Sequence, residues 1–209
     1  MKKNDLVSSF LDFLFPDPKC ELNYQTDYQL LLAIVLSAQT TDKRVNMVTE
    51  EMFTLYPSLS LLKDAPIQEL ERILKPIGSF RKKAQYVHEI SKILEEDYQG
   101  VVPHNREELM KLPGVGRKTI NVFFSEFYHE AAFGVDTHVE RVSKRLGISK
   151  KNHNVLEVEK QLMKFFPKEE WARRHLQMVL FGRYYCKAIK PECKNCKLKD
   201  ICLEKNKRV

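Results

Sequence analysis

The stretch "LPGVGRKTI", residues 112–120, decides how this chain is read. Two glycines flank a valine, a proline leads in, and Arg117–Lys118 opens an apolar-periodic run. A nucleotide-binding P-loop needs Gly-x4-Gly-Lys-Ser/Thr after a strand. Here Arg117 separates Gly116 from Lys118, and a helical pattern precedes the turn, so that reading is set aside. A plain helix–helix turn, in which glycine only lets the backbone reverse, is the simplest alternative. The third reading is a helix-hairpin-helix, with helices near 105–112 and 116–128. Without side chains in the way, the backbone at Gly114, Val115 and Gly116 can approach a phosphate, with Arg117 beside it. The unpaired amides and positive dipole end of the next helix favour an anion there. Such contacts hold DNA in register without reading its sequence.

The flanking periodicity is helical almost throughout. Thr26 or Asp27 can cap a helix over 27–38, and Thr41 or Asp42 the next, with Val45, Val48, Met52 and Leu55 on one face. Pro66 opens a helix carrying Ile67, Leu70, Ile73 and Leu74. A long helix near 80–97 turns Ala84, Val87, Ile90 and Leu94 inward. Asn105 caps a short helix before the turn, and Ile120, Phe123, Phe124 and Phe127 form the next stripe. Further helices run from Asp136 to Gly147, over 154–166 and over 168–184. No strand or flexible linker is legible, so the fold class is all-α.

Composition fits a DNA partner. Against 28 acidic residues stand 35 Lys and Arg, a formal charge of +7 over 209 residues, and a basic excess favours a polyanion. No run approaches the roughly 20 apolar residues of a membrane span; "LLLAIVL" (30–36) reads as a buried helix. Asp5 and Asp12 interrupt the N-terminus, and no small-residue cleavage site follows, which argues against a secretory signal. The chain is expected inside the cell, in the cytoplasm.

Lys118 has two readings. It is a second phosphate contact, or it is a nucleophile whose amine attacks a sugar carbon and forms a Schiff base. An ordinary lysine is neutral about one time in a thousand near physiological pH, a penalty of about 4 kcal/mol. A first-turn location beside Arg117 favours the neutral amine. "GVDTHVERVSKRLG" (134–147) begins with Asp136 at an N-cap, followed by Thr137 and His138. Satisfying helix amides explains Asp136 fully. A carboxylate at a DNA groove can also stabilise a developing sugar cation, and the two roles are compatible.

Four of the five cysteines crowd the C-terminus as Cys186-x6-Cys193-x2-Cys196-x5-Cys202, while Cys20 stands alone without an assigned task. A disulfide framework would be spread through the chain of a secreted protein. The spacing suits metal ligands, either zinc or a [4Fe-4S] cluster, and does not choose between them.

Taken together, "LPGVGRKT", "VDTHV" beginning at Val135, "LLLAIVLSAQTTDKRVN" (30–46) and the "GRYYC…C…C…C" tail resemble the endonuclease III family of DNA glycosylases, helix-hairpin-helix proteins. The similarity runs from about Glu21 to Cys202. It implies a bifunctional glycosylase and abasic-site lyase of base excision repair, which removes oxidised pyrimidines such as thymine glycol and nicks the strand by β-elimination. It makes Lys118 the nucleophile and Asp136 its assistant, and it selects the [4Fe-4S] cluster over zinc for the four cysteines. It makes Gln39 a residue that enters the duplex when the target nucleotide leaves the stack. The chain departs from the family at the second wedge, an apolar residue after "IG": Ser79 stands there, so either Phe80 substitutes or the wedge is weaker.

The resemblance further implies two helical lobes with DNA in the cleft between them. One is a barrel over 21–133 containing the hairpin, and the other joins 1–20 to 134–209 and holds the cysteines. Lys187 and Lys194, with Lys190, Lys197 and Lys199, stud the cysteine loop as phosphate contacts or as solvated surface. The rival readings are an adenine-mismatch glycosylase of the same superfamily, which generally lacks the hairpin lysine and carries a further domain, and a non-catalytic DNA-binding module with structural zinc.

Overall fold

The computed structural model describes residues 2–205 and 207. Among these residues there is no strand, and the chain is helical from Lys3 to Tyr185 with short connections. It divides into two compact units, Glu21–Phe123 and Met1–Cys20 with Phe124–Val209. The division falls inside a helix at 123/124, ten residues before the 133/134 boundary expected from the sequence.

The first unit is built on α2 (Asp27–Leu36), whose residues from Tyr28 onward are all buried. A helix apolar on every side belongs in a core. Thr26 caps it, accepting from the Gln29 amide at 3.4 Å, and Asp27 Oδ2 accepts from the Val102 amide at 3.0 Å. α3 (Asp42–Leu55) buries Val45, Val48 and Met52; Leu55, expected on that face, is half exposed because the helix is ending there. α4 (Leu59–Lys63), a single capped turn that periodicity does not reveal, and α5 (Ile67–Leu74) pack on α6 (Phe80–Tyr98). α7 (Arg106–Met110) is capped by Asn105, whose Oδ1 accepts from the Glu107 and Glu108 amides. α8 (Arg117–Phe127) follows the glycine turn and continues into the second unit.

The second unit has its own core of Val7, Phe10, Leu11, Phe133, Val139, Val142, Leu162, Met178 and Phe181. Its helices are α1 (Lys3–Leu14), α9 (Thr137–Arg145), α10 (Val155–Phe165) and α11 (Trp171–Leu180). The single helix expected over 168–184 is three pieces: a 3-10 turn at Lys168–Glu170, α11, and a π-helical turn at Phe181–Tyr185. Arg174 clasps α1 to α11. It is 4% exposed and donates to both Asp12 oxygens at 2.6 and 3.1 Å, while Gln177 Nε2 donates to Asp12 Oδ1 at 3.0 Å.

Candidate active site

The glycine turn is a helical hairpin. The Val115 amide donates to the Leu112 carbonyl at 3.2 Å, and the Ile120 amide to the Gly116 carbonyl at 3.0 Å, so the chain leaves the turn already helical. Gly114 has φ +75°, and a Cβ on it would lie 2.5 Å from Tyr86 Cδ2, so both backbone and space require glycine. Gly116 differs: nothing lies within 4 Å of its would-be Cβ. Val115 is buried and anchors the loop. Arg106 Nη1 donates to Asn121 Oδ1 at 2.8 Å, bracing α7 against α8.

Lys118 is the second residue of α8 and is half-buried, while Arg117 beside it is exposed. Asn121 and Ser125, which share its face, are buried, as are Ile120 and Phe123. The helix is enclosed on both sides below its first turn, and Lys118 stands at the rim of that enclosure.

Gln39 is exposed and left-handed at φ 55° in the loop between α2 and α3. Ser79, also exposed and left-handed at φ 56°, is the N-cap residue of α6. Non-glycine residues in this region carry about 1 kcal/mol or more of strain, and such strain gathers at functional positions. Lys83 was not singled out from the sequence. It is 5% exposed, and its Nζ donates to the Ala38 carbonyl and to Thr40 Oγ1, both at 2.8 Å. Its position four before Val87 on the inward stripe was the available signal.

In the second unit, Asp136 is the N-cap of α9, and its Oδ1 accepts from the Val139 amide at 2.8 Å. Thr137 is the exposed first residue of that helix. Cys186, Cys193, Cys196 and Cys202 are unpaired with one another and half-buried, and all four line one cavity of about 30 Å³ with Leu146, Phe181 and Tyr185. Among the described residues no group of three or more His, Cys, Asp or Glu side chains is gathered as a ready-made metal site. Burial pushes the Cys196 thiol up to about 11 and raises Cys186 as well, while Arg145 donates to Cys186 Sγ at 3.5 Å and opposes the shift there.

Two arginines of α9 shape the loop, a function that periodicity conceals. Arg141 donates to the Gly182 carbonyl at 2.7 Å, and Arg145 donates to the Lys187 carbonyl at 2.7 Å. Lys187 and Lys194 are exposed.

The model of the HhH-GPD superfamily of base excision DNA repair proteins matches residues 32–168. The chain belongs to this superfamily. It is 48% identical over 195 residues to endonuclease III of Bacillus subtilis (strain 168), covering 93% of this chain and 89% of that one. Endonuclease III of Escherichia coli (strain K12) is 36% identical, with 92% and 90% covered. A trapped endonuclease III–DNA covalent intermediate matches at TM-score 0.92 and 47% identity over 98% of this chain and 97% of that one. A thermostable thymine-DNA glycosylase shares the HhH-GPD fold at TM-score 0.85 and 23% identity. No helix among the described residues is long and apolar enough to cross a membrane.

Proposed function

We propose that this HhH-GPD protein is a bifunctional DNA glycosylase and abasic-site lyase that acts on oxidised pyrimidines of the thymine glycol type in double-stranded DNA, as a monomer inside the cell. Membership of a base excision repair superfamily and the likeness to endonuclease III support the reaction class. The observation that carries the chemistry is Lys118 in the first turn of a helix, next to a hairpin whose Gly114 admits no side chain.

In this reading Gly114, Val115, Gly116 and Arg117 hold the backbone phosphates, and Thr137, Lys187 and Lys194 add contacts. The Lys118 amine attacks C1′ of the target sugar, the bond to the base breaks, and the base departs. The sugar ring opens, leaving an imine between Lys118 and C1′. A proton then leaves C2′, the C3′–oxygen bond breaks, and the strand on the 3′ side departs with that phosphate on its 5′ end; water hydrolyses the imine, which restores the amine and leaves an unsaturated aldehyde on the remaining strand. Asp136 stabilises the cationic sugar while its Oδ1 remains a helix cap. Gln39 fills the space the extruded nucleotide leaves.

The four cysteines are the residues that would hold a [4Fe-4S] cluster, and their convergence on one cavity supports this over separate roles. When bound, the group ties the loop from Cys186 to Cys202 together and presents its lysines. Zinc is the alternative occupant.

The test is a duplex containing one thymine glycol. Release of the damaged base with strand scission on its 3′ side supports the reading. Base release without scission reduces it to a monofunctional glycosylase, and binding without either reaction makes the hairpin a DNA-binding module.

A further inference from the structure

Lys83 is a buried lysine whose recorded partners are uncharged oxygens, the Ala38 carbonyl and Thr40 Oγ1, each at 2.8 Å. Burying an ammonium on neutral acceptors costs stability, so this arrangement is a poor way to hold a fold together. Its placement is specific. The two acceptors belong to the residues on either side of Gln39, which is held in a left-handed conformation with its side chain exposed. The Lys83 amide also donates to the Ser79 carbonyl at 3.0 Å, the first bond of α6, and Ser79 is the other exposed left-handed residue of this region. One lysine therefore links the tip of the α2–α3 loop to the start of α6. Desolvation already biases its amine toward the neutral form, and a neutral amine still donates to both oxygens.

We propose that Lys83 is a positioning residue that holds the strained Gln39 turn ready to enter the duplex. The proposal rests on the reading that Gln39 is the inserted side chain. It explains why an ionisable group occupies a position on the apolar stripe of α6: the fold does not need the amine, and the loop does.

The experiment compares wild type, Gln39→Ala, Lys83→Met, the double variant and Thr40→Val. Each is assayed for kcat/KM on a thymine glycol duplex, for cleavage of a single-stranded abasic oligonucleotide, and for 2-aminopurine fluorescence beside a tetrahydrofuran abasic analogue in a duplex. The analogue reports insertion, and the single strand needs none. Lys83→Met should match or exceed the wild-type Tm yet lose about 10-fold in duplex kcat/KM, the equivalent of about 1.4 kcal/mol, with a weaker 2-aminopurine signal. Its single-strand cleavage should stay within about 2-fold of wild type, a barrier change of about 0.4 kcal/mol, because no insertion is required there. The double variant should fall no further than Gln39→Ala, and Thr40→Val should show a smaller loss of the same kind. Equal losses on duplex and single strand, or multiplying losses in the double variant, would overturn the positioning role. An unaffected Gln39→Ala enzyme would remove the insertion reading itself, and the proposal with it. A sensitive Gln39→Ala beside an unaffected Lys83→Met would remove the proposal alone.

Discussion

Replacing Gly114 with alanine tests the hairpin where its backbone and its packing make the same demand. At φ +75° an L-residue pays about 1–2 kcal/mol. The new Cβ would also stand 2.5 and 2.7 Å from Tyr86 Cδ2 and Cε2, distances that force the ring to move. That ring is half-buried and has the Lys82 ammonium over it at 5.6 Å, so displacing it adds about 1–3 kcal/mol, the usual range for overpacking. Together these effects predict a loss of about 2–5 kcal/mol. For a chain of this size that is a Tm drop on the order of 5–15 °C. Denaturant unfolding gives the free energy, and the contrast is Gly116→Ala, which meets nothing within 4 Å and should stay within about 0.5 kcal/mol. On a Tyr86→Ala background, Gly114→Ala should lose only the backbone part. A Gly114→Ala protein as stable as Gly116→Ala, or a Gly114→Ala cost unchanged by the loss of Tyr86, would refute the claim that this turn is glycine by necessity.

Asp136→Asn retains a good N-cap and should hold stability within about 0.5 kcal/mol, whereas Asp136→Ala should lose about 1 kcal/mol; both should slow base release by about 100-fold or more in single-turnover assays. Arg174 holds the Asp12 carboxyl down to about 2 from 3.8, so this pair's contribution is complete above pH 4 and disappears as pH falls toward 2. Asp12 is 40% exposed, which screens the contribution to roughly 1 kcal/mol, and Asp12→Asn should flatten the Tm profile between pH 4 and 2. Cys193→Ser, which removes one thiol of the cavity, should lower bound iron and inorganic sulfide together and make the 186–202 loop sensitive to protease, while single-strand abasic cleavage survives. Loss of zinc instead of iron from the wild type on chelation would replace the cluster with the other metal.

Much of this molecule was legible where a residue type has one inexpensive use. Thr26, Asn105 and Asp136 were readable as caps because a short polar side chain just ahead of an apolar-periodic run can accept the first amides of a helix. The glycine turn was readable because Gly-Val-Gly between two helical patterns leaves few backbone paths. The N-terminal helix α1 and the short α4 were not read, since one is held by Asp12 contacting Arg174, distant in sequence, and the other is a single turn. The π-helical turn before Cys186 was hidden because apolar spacing looks the same across it. Lys83, Arg141 and Arg145 escaped for a common reason: a basic residue in a basic protein reads as surface until its acceptors are seen. The cysteine spacing marked four candidate ligands without naming an occupant, because tetrahedral thiolate ligation suits zinc and an iron–sulfur cluster alike.

The most direct test of the account is borohydride reduction during turnover on a thymine glycol duplex, followed by peptide mapping of any protein–DNA adduct. Wild type should give one adduct, at Lys118, and Lys118→Gln should bind the duplex but give none. An adduct at another amine, or none from a wild type that still binds and releases the base, would contradict Lys118 as the nucleophile.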